Sequence, residues 1–208
     1  MQSKKPSLSA VITVRKGSQR VKNKNFKKFY KKNLLEYKIE VLKKVKNLDK
    51  IIVNTDSDKA IKIAKKFNID YHKRDKFFAS SACKNSDFWQ HIAENTKSEY
   101  IMFTHCTNPF IKIKTYEKFI KIFKKFKNTY DSFNTVTSVK EFLYIKNRPI
   151  NFNPSNAPNS QDLPDVFKLN FAINILSTKL MFKKKSVVGN KPFFYNLDQL
   201  EGFDINTP

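Results

Sequence analysis

Leu8-Ser-Ala-Val-Ile-Thr-Val14 runs straight into Arg15-Lys-Gly-Ser-Gln-Arg-Val-Lys-Asn-Lys-Asn25. The first stretch is a short apolar run bounded by a polar, glycine-containing segment, the pattern of a buried β-strand. The second gathers one Gly, one Ser, two Arg and three Lys immediately beyond the strand end. A phosphate chain needs backbone N–H groups for its oxygens and fixed cations for its charge. Gly17 and Ser18 would allow the turn, while Arg15, Arg20, Lys22 and Lys24 would supply the cations. The loop matches neither Gly-x4-Gly-Lys-Ser/Thr nor Gly-x-Gly-x-x-Gly. Chemistry alone therefore leaves two readings open, a phosphate-binding turn and a solvated basic loop.

Outward from this segment, strand and helix patterns alternate. Apolar spacing predicts helices over 33–46, 58–67, 86–95, 114–126 and 179–182, with Asp56 or Ser57 capping the second. Short apolar runs predict strands over 50–55, 69–71, 100–104, 131–139, 169–176 and 193–195. Strands separated by helices of this length imply an α/β fold, a mostly parallel sheet with helices on both faces. In such sheets ligands bind beyond the carboxyl ends of the strands, which directs attention to 15–25, 55–57, 105–109 and 168–170. Between Glu141 and Pro164 the pattern breaks, with Pro149, Pro154, Pro158 and Pro164 among many Asn. That segment is expected to be an excursion of loops and short hairpins.

The 208 residues suit a single domain, 1–208, and 40% hydrophobic residues with 20 Phe suffice for a core. No apolar run approaches a membrane span, and no secretory signal pattern opens the chain, so a cytoplasmic protein without membrane contact is expected. Cys83 and Cys106 have neither metal-site spacing nor the density of a disulfide scaffold. Lys and Arg total 41 against 18 acidic residues, a formal charge of +23. Nearly all of it is Lys spread over every helix; the only arginines are Arg15, Arg20, Arg74 and Arg148. Nucleic-acid readers favour Arg for bidentate contacts, so the charge is read as coding bias that also helps attract a triphosphate. Nucleic acid is not the expected partner.

Ordered blocks carry a resemblance to a known family. Ala10-Val-Ile-Thr-Val-Arg-Lys-Gly-Ser-Gln-Arg-Val-Lys-Asn-Lys-Asn25 resembles I/L-P-A-R-x-G-S-x-R-x-x-x-K-N, and Leu35-Glu-Tyr-Lys-Ile-Glu-Val41 resembles L-x-x-Y/H-T-I-x-A. Asp49-Lys-Ile-Ile-Val-Asn-Thr-Asp-Ser57 is similar to D-x-I-x-V-S-T-D-S, and Phe103-Thr-His-Cys-Thr-Asn-Pro109 to L-L-Q-P-T-S-P. Gln161-Asp-Leu-Pro-Asp-Val-Phe-Lys-Leu-Asn170 and Phe203-Asp-Ile-Asn-Thr-Pro208 resemble Q-x-L-P-x-x-F-R-x-N and I-D-I-D-T-P. Each block alone is weak; six in order, covering nearly the whole chain, resemble the acylneuraminate cytidylyltransferases, the CMP-sialic acid synthetases.

The resemblance implies a Rossmann-like nucleotidyltransferase fold, a homodimer with its interface at the 140–168 excursion, and transfer of CMP from CTP to a sialic-acid-like sugar acid with Mg2+ as cofactor. It assigns the triphosphate to Arg15 and the α-phosphate surroundings to Lys24, the two catalytic candidates. Asn25 and Ser80 (in Ala79-Ser-Ser-Ala82) join Gly17 and Ser18 as nucleotide-binding candidates. Asp204 and Asn206 occupy the metal positions, and His105, Gln161 and Lys168 the acceptor-binding ones. Departures cluster at the acceptor: His105 replaces Gln, Ser160 and Lys168 replace Arg, and a Lys keeps the charge but loses the bidentate fork. Asn206 and Ser81 each replace an Asp, with Asp87 or Glu201 as possible compensation. A phosphonate acceptor is the alternative substrate, met by Lys22, Arg74 or Lys168. A catalytically impaired nucleotide-sugar or nucleic-acid binding protein is the alternative from another class. The family continues with an acidic helix beyond this last block, so a compact variant or a missing helix is expected. Cys106 is read as packing, Phe88 and Trp89 as core or dimer face, and His72 and His91 as structural.

Overall fold

The computed structural model describes residues 7–17 and 21–205. In chain order its elements are β1 (Leu8–Val14), β2 (Lys28–Phe29), β3 (Lys32–Asn33), α1 (Leu34–Lys43), β4 (Lys50–Thr55), α2 (Asp58–Lys66) and β5 (Asp70–Lys73). There follow α3 (Asn85–Glu94), β6 (Tyr100–Thr104), α4 (Ile113–Phe126), β7 (Ser132–Val139), β8 (Tyr144–Ile145) and β9 (Arg148–Pro149). The chain finishes with β10 (Val166–Ser177), α5 (Thr178–Lys184) and β11 (Pro192–Asn196). Seven strands form one sheet in the order β11-β7-β10-β6-β1-β4-β5. All its pairings are parallel except those of β10, which runs antiparallel between β6 and β7.

β1 sits near the middle of the sheet because it is apolar on both sides. Ala10, Ile12 and Val14 join the core beneath α1, α2 and α4, with Leu35, Ile39, Ala60 and Phe119. Val11 faces the opposite core with Ile92 of α3 and Met181 of α5. A strand covered on both faces reads as an unbroken apolar run, and the helices lie on both faces as the alternation predicts. Asn33 caps α1 in a reciprocal box with Glu36, and Ser57 caps α2 by accepting from Ala60 N.

Several boundaries differ from the sequence reading. α1 ends at Lys43 rather than 46, and Asn47 turns the chain at φ 68°. α3 starts at Asn85, and Lys84 before it offers no side-chain cap. β10 is 12 residues long; its first half is largely exposed, so only its buried end carries the apolar signal. It is irregular between Leu169 and Asn174, where Phe171 takes φ 55°. The 140–165 segment joins β7 to β10 and contains the β8–β9 hairpin and two short 3-10 turns, Pro154–Asn156 and Ser160–Asp162. None of the described helices is long and apolar enough to cross a membrane.

Leu35 is wholly buried between α1 and the sheet. Leu35→Ala is expected to cost about 2–5 kcal/mol, read as a lower urea midpoint at unchanged slope.

Candidate active site

Two cavities open at the carboxyl ends of β1 and β6. The smaller, about 350 Å³, is lined by Arg15, Lys24, Asn25, Arg74, Phe78, Ser80 and Phe88 among others. The larger, about 1120 Å³, takes in Lys140, Glu141, Lys168, Asn170, Phe171, Asp198, Phe203 and Asp204. Lys24, His105 and Thr107 line both, so the two spaces meet at one wall.

The small cavity is cationic: Arg15, Lys24 and Arg74 line it and no described carboxylate does. Arg74, just beyond β5, is buried. Its Nη1 donates to Asn54 Oδ1 at 3.0 Å and its Nη2 to the Val14 carbonyl at 3.1 Å. Its guanidinium also lies 4.9 Å from the Phe88 ring centroid and 3.9 Å from Asp56. Burial lowers its pKa to about 10, against the pull of Asp56, so it stays charged at neutral pH. Phe78 stacks on His91 with centroids 3.8 Å apart and planes at 12°. His72 lies 5.3 Å from His91 and shares a 2.9 Å hydrogen bond with Asn54. The two histidines thus back the cavity wall, and burial lowers the pKa of both.

The 3-10 turn Lys24–Phe26 delivers Lys24 and Asn25 to the wall. Asn25 is buried and accepts from Cys106 Sγ at 3.1 Å. Burial pushes the Cys106 thiol up to about 12, which fits packing rather than nucleophilic attack. Lys24 Nζ donates to the Ile205 carbonyl at 2.5 Å. Ile205 N donates to the Thr107 carbonyl at 3.0 Å, and Asn108 Nδ2 to the Phe203 carbonyl at 3.0 Å. These bonds bring Asp204 to the cavity that Lys24 and His105 also line. Gly202 supports the segment from behind: a Cβ there would meet Thr137 Oγ1 at 2.4 Å. Burial pushes the His105 imidazole below 6.5, Asp204 opposes the fall, and Lys38 and Lys24 add to it. His105 faces Phe171 at 5.9 Å with nearly parallel planes.

Other sequence candidates fall elsewhere. Gly17 lines neither cavity; its φ is not positive, and among the described residues nothing lies within 4 Å of where its Cβ would be. Gln161 is exposed on the Ser160–Asp162 turn and lines neither cavity, because that turn sits on the outer part of the excursion. Arg74 lines the small cavity, whereas Lys168 lines the large one. Lys22 is exposed and lines neither. Asp87 and Glu201 line neither cavity; they pair with Lys185 at 3.8 Å and Lys112 at 3.2 Å. Phe88 packs against the core of α3 and α5, as does Trp89, and also lines the small cavity. Ser18, Arg20 and Asn206 lie outside the described residues. Asn170, inside the 168–170 segment singled out above, lines the large cavity, whereas sequence reasoning missed Phe78 and Asp198.

Among the described residues no three of His, Cys, Asp and Glu group as a metal site. Asp204 alone offers a carboxylate at the cationic junction. That donor suits Mg2+, which keeps several waters and accepts one carboxylate with substrate phosphate oxygens.

A cationic pocket at the carboxyl ends of a mostly parallel sheet suits an anionic ligand. The chain superposes on 4-diphosphocytidyl-2C-methyl-D-erythritol synthase from Anaerococcus prevotii with a TM-score of 0.69 at 16% identity, covering 97% of this chain and 91% of that one. On CMP:2-keto-3-deoxy-manno-octonic acid synthetase complexed with CTP the TM-score is 0.65 at 11% identity, covering 92% and 90%. A cytidylyltransferase family model matches residues 9–168, and the chain belongs to that family of nucleotidyltransferase enzymes. Post-translational flagellin modification protein B of Campylobacter coli is 24% identical over 94% of this chain and 88% of its own length. N-acylneuraminate cytidylyltransferase of Escherichia coli O18:K1:H7 is 31% identical over 49% of this chain, a match spanning 24% of that protein.

Arg74→Met removes the cation and leaves Asn54 Oδ1 and the Val14 carbonyl without their donor. Isothermal titration is expected to show CTP binding weakened roughly tenfold or more, with Asp87→Asn unchanged. Equal affinity in Arg74→Met and the parent would remove Arg74 from the nucleotide site.

Proposed function

We propose that the protein transfers CMP from CTP to a sialic-acid-like, anionic sugar acid, releasing pyrophosphate. The observation that carries this reading is the shared wall of Lys24, His105 and Thr107 between a cavity whose described charged groups are all cations and a larger, mixed one. A triphosphate suits the first. The second offers Lys140 and Lys168 beside Glu141 and Asp198, with apolar Leu169, Phe171 and Phe203, a lining matched to a bulky acceptor bearing charge, hydroxyls and carbon substituents. The named relatives that handle acylneuraminate and, in Helicobacter pylori, pseudaminic acid (34% identical over 62 residues) support an acceptor of this class.

In this reading the acceptor hydroxyl attacks the α-phosphorus across the wall. The bond from that phosphorus to the β-phosphate bridging oxygen breaks, and the hydroxyl proton is lost to solvent. Arg15 and Arg74 hold the phosphate chain and nucleoside side, Lys24 neutralises charge near the α-phosphate, and Asn25 and Ser80 orient the nucleotide. Such transfers rest on positioning and charge neutralisation, with little covalent chemistry from the protein. Asp204 would hold Mg2+, which would supply positive charge to offset that of the phosphate chain. His105 and Lys168 face the acceptor. His105 is neutral at pH 7, so it meets the acceptor as a hydrogen-bonding group, and Lys168 supplies the charge.

Pyrophosphate release from CTP and Mg2+ is to be measured with N-acetylneuraminate, legionaminate, pseudaminate and a phosphonate in turn. Turnover with a nonulosonic acid is expected, and Asp204→Ala is expected to lower it by a hundredfold or more. Turnover with the phosphonate alone would replace the acceptor; no turnover together with tight RNA binding would overturn the enzyme reading.

The excursion leaves Phe142, Tyr144, Ile145 and Ile150 exposed, with Ile145 at 62%. We propose that this apolar surface forms the interface of a homodimer, since such patches mark association sites. Ile145→Asp is expected to shift the sedimentation coefficient from dimer to monomer; a monomeric parent protein would refute the interface.

A further inference from the structure

α1 turns a lysine into the protein. Lys38 is 1% exposed and lies on the buried face with Leu34, Leu35 and Ile39. An ammonium taken out of water is costly unless hydrogen bonds replace its hydration. Lys38 Nζ donates to the Asn108 carbonyl at 2.8 Å and to Tyr116 Oη at 2.7 Å. Tyr116 Oη in turn lies 3.2 Å from Thr104 Oγ1, which donates to the Ala172 carbonyl at 2.6 Å. Lys38 lines neither cavity; it stands behind the wall and grips its backbone. The carbonyl it holds belongs to Asn108, whose side chain binds the Phe203 carbonyl, and the adjoining Thr107 carbonyl accepts from Ile205 N. Asp204 lies between those two bonds.

We propose that Lys38 is a positioning residue: its buried ammonium fixes the Thr107–Asn108 turn and, through it, the placement of the Asp204 carboxylate. The metal-holding role of Asp204 rests on the cytidylyl-transfer reading, whereas the mechanical link from Lys38 to Asp204 does not. Deleting the ammonium leaves the Asn108 carbonyl buried without its donor, so the turn must shift or admit water. The loss should therefore appear first at Phe203–Ile205, some 165 residues away in sequence, and only later in the global fold.

Hydrogen exchange by mass spectrometry on the full chain tests the link. In Lys38→Met, which keeps the apolar stem, amides of 203–205 are expected to exchange about tenfold faster while those of β1 and β4 stay within twofold. Tyr116→Phe keeps the Asn108 bond and is expected to leave 203–205 close to the parent. If Lys38→Met does not fold, Asn108→Ser cuts the link to Phe203 directly and is expected to give the same local loss. Mn2+ binding in the presence of CTP, read by electron paramagnetic resonance, is expected to weaken about tenfold in Lys38→Met, with metal-free CTP affinity within twofold. Parent-like protection of 203–205 in the variants overturns the proposal, as does faster exchange spread evenly over the sheet. Unchanged Mn2+ affinity despite local exposure severs Lys38 from the metal role. A parent protein that does not bind CTP refutes the cytidylyl reading, while the exchange comparison still decides the role of Lys38.

Discussion

Ile205 N on the Thr107 carbonyl, Asn108 Nδ2 on the Phe203 carbonyl and Lys24 Nζ on the Ile205 carbonyl tie three distant stretches of sequence to one point. Ordering a loop residue costs roughly 1–2 kcal/mol of backbone entropy, so a segment of this kind stays in place only where its polar groups are answered. The turn after β6 answers them because it is itself held from below by α1 and α4. The absence of a side chain at Gly202 lets the incoming segment lie flat against Thr137. Without these bonds Lys24 and Asp204 would belong to separate loops and the two cavities would lose their common wall.

The charge around that wall is sorted rather than merely abundant. Lysines cover the whole molecule, yet the buried guanidinium of Arg74 is engaged with Asn54 and the Val14 carbonyl before any ligand arrives. A cation already oriented by the protein stabilises developing charge without reorganising, which a flexible surface lysine does not do. The larger cavity alternates ammonium and carboxylate groups, and its field is correspondingly mild. In the proposed reaction that contrast would separate a polyanion from a singly charged acceptor.

The parallel core was legible because β1, β4 and β6 are covered on both faces and their apolar runs are unbroken. β10 was only half legible: Phe167 and Lys168 are exposed, so nothing in their chemistry marks a strand, and pairing to β7 alone extends it. The loop after β1 was legible as a source of cations, and Arg15, Lys24 and Asn25 do line the small cavity. Gly17 itself has no positive φ and lines neither cavity. The surroundings of Arg74 were not legible, because its partners, Asn54 and Val14, lie on two other strands that only the sheet brings together. Lys38 was invisible for the opposite reason: helical periodicity treats a lysine as solvent-facing, and no spacing rule announces a tyrosine hydroxyl and a carbonyl waiting inside.

Val139 and Val166 stand opposite each other in the β7–β10 ladder, so the chain leaves the sheet and returns to it through neighbouring doorposts. Everything between them is an exchangeable cassette: its length and composition can drift while the two feet stay clamped in register. In the proposed reading, the nucleotide-binding half would be insulated from changes in the cassette, and a new acceptor or subunit contact could arise there without the sheet being rebuilt.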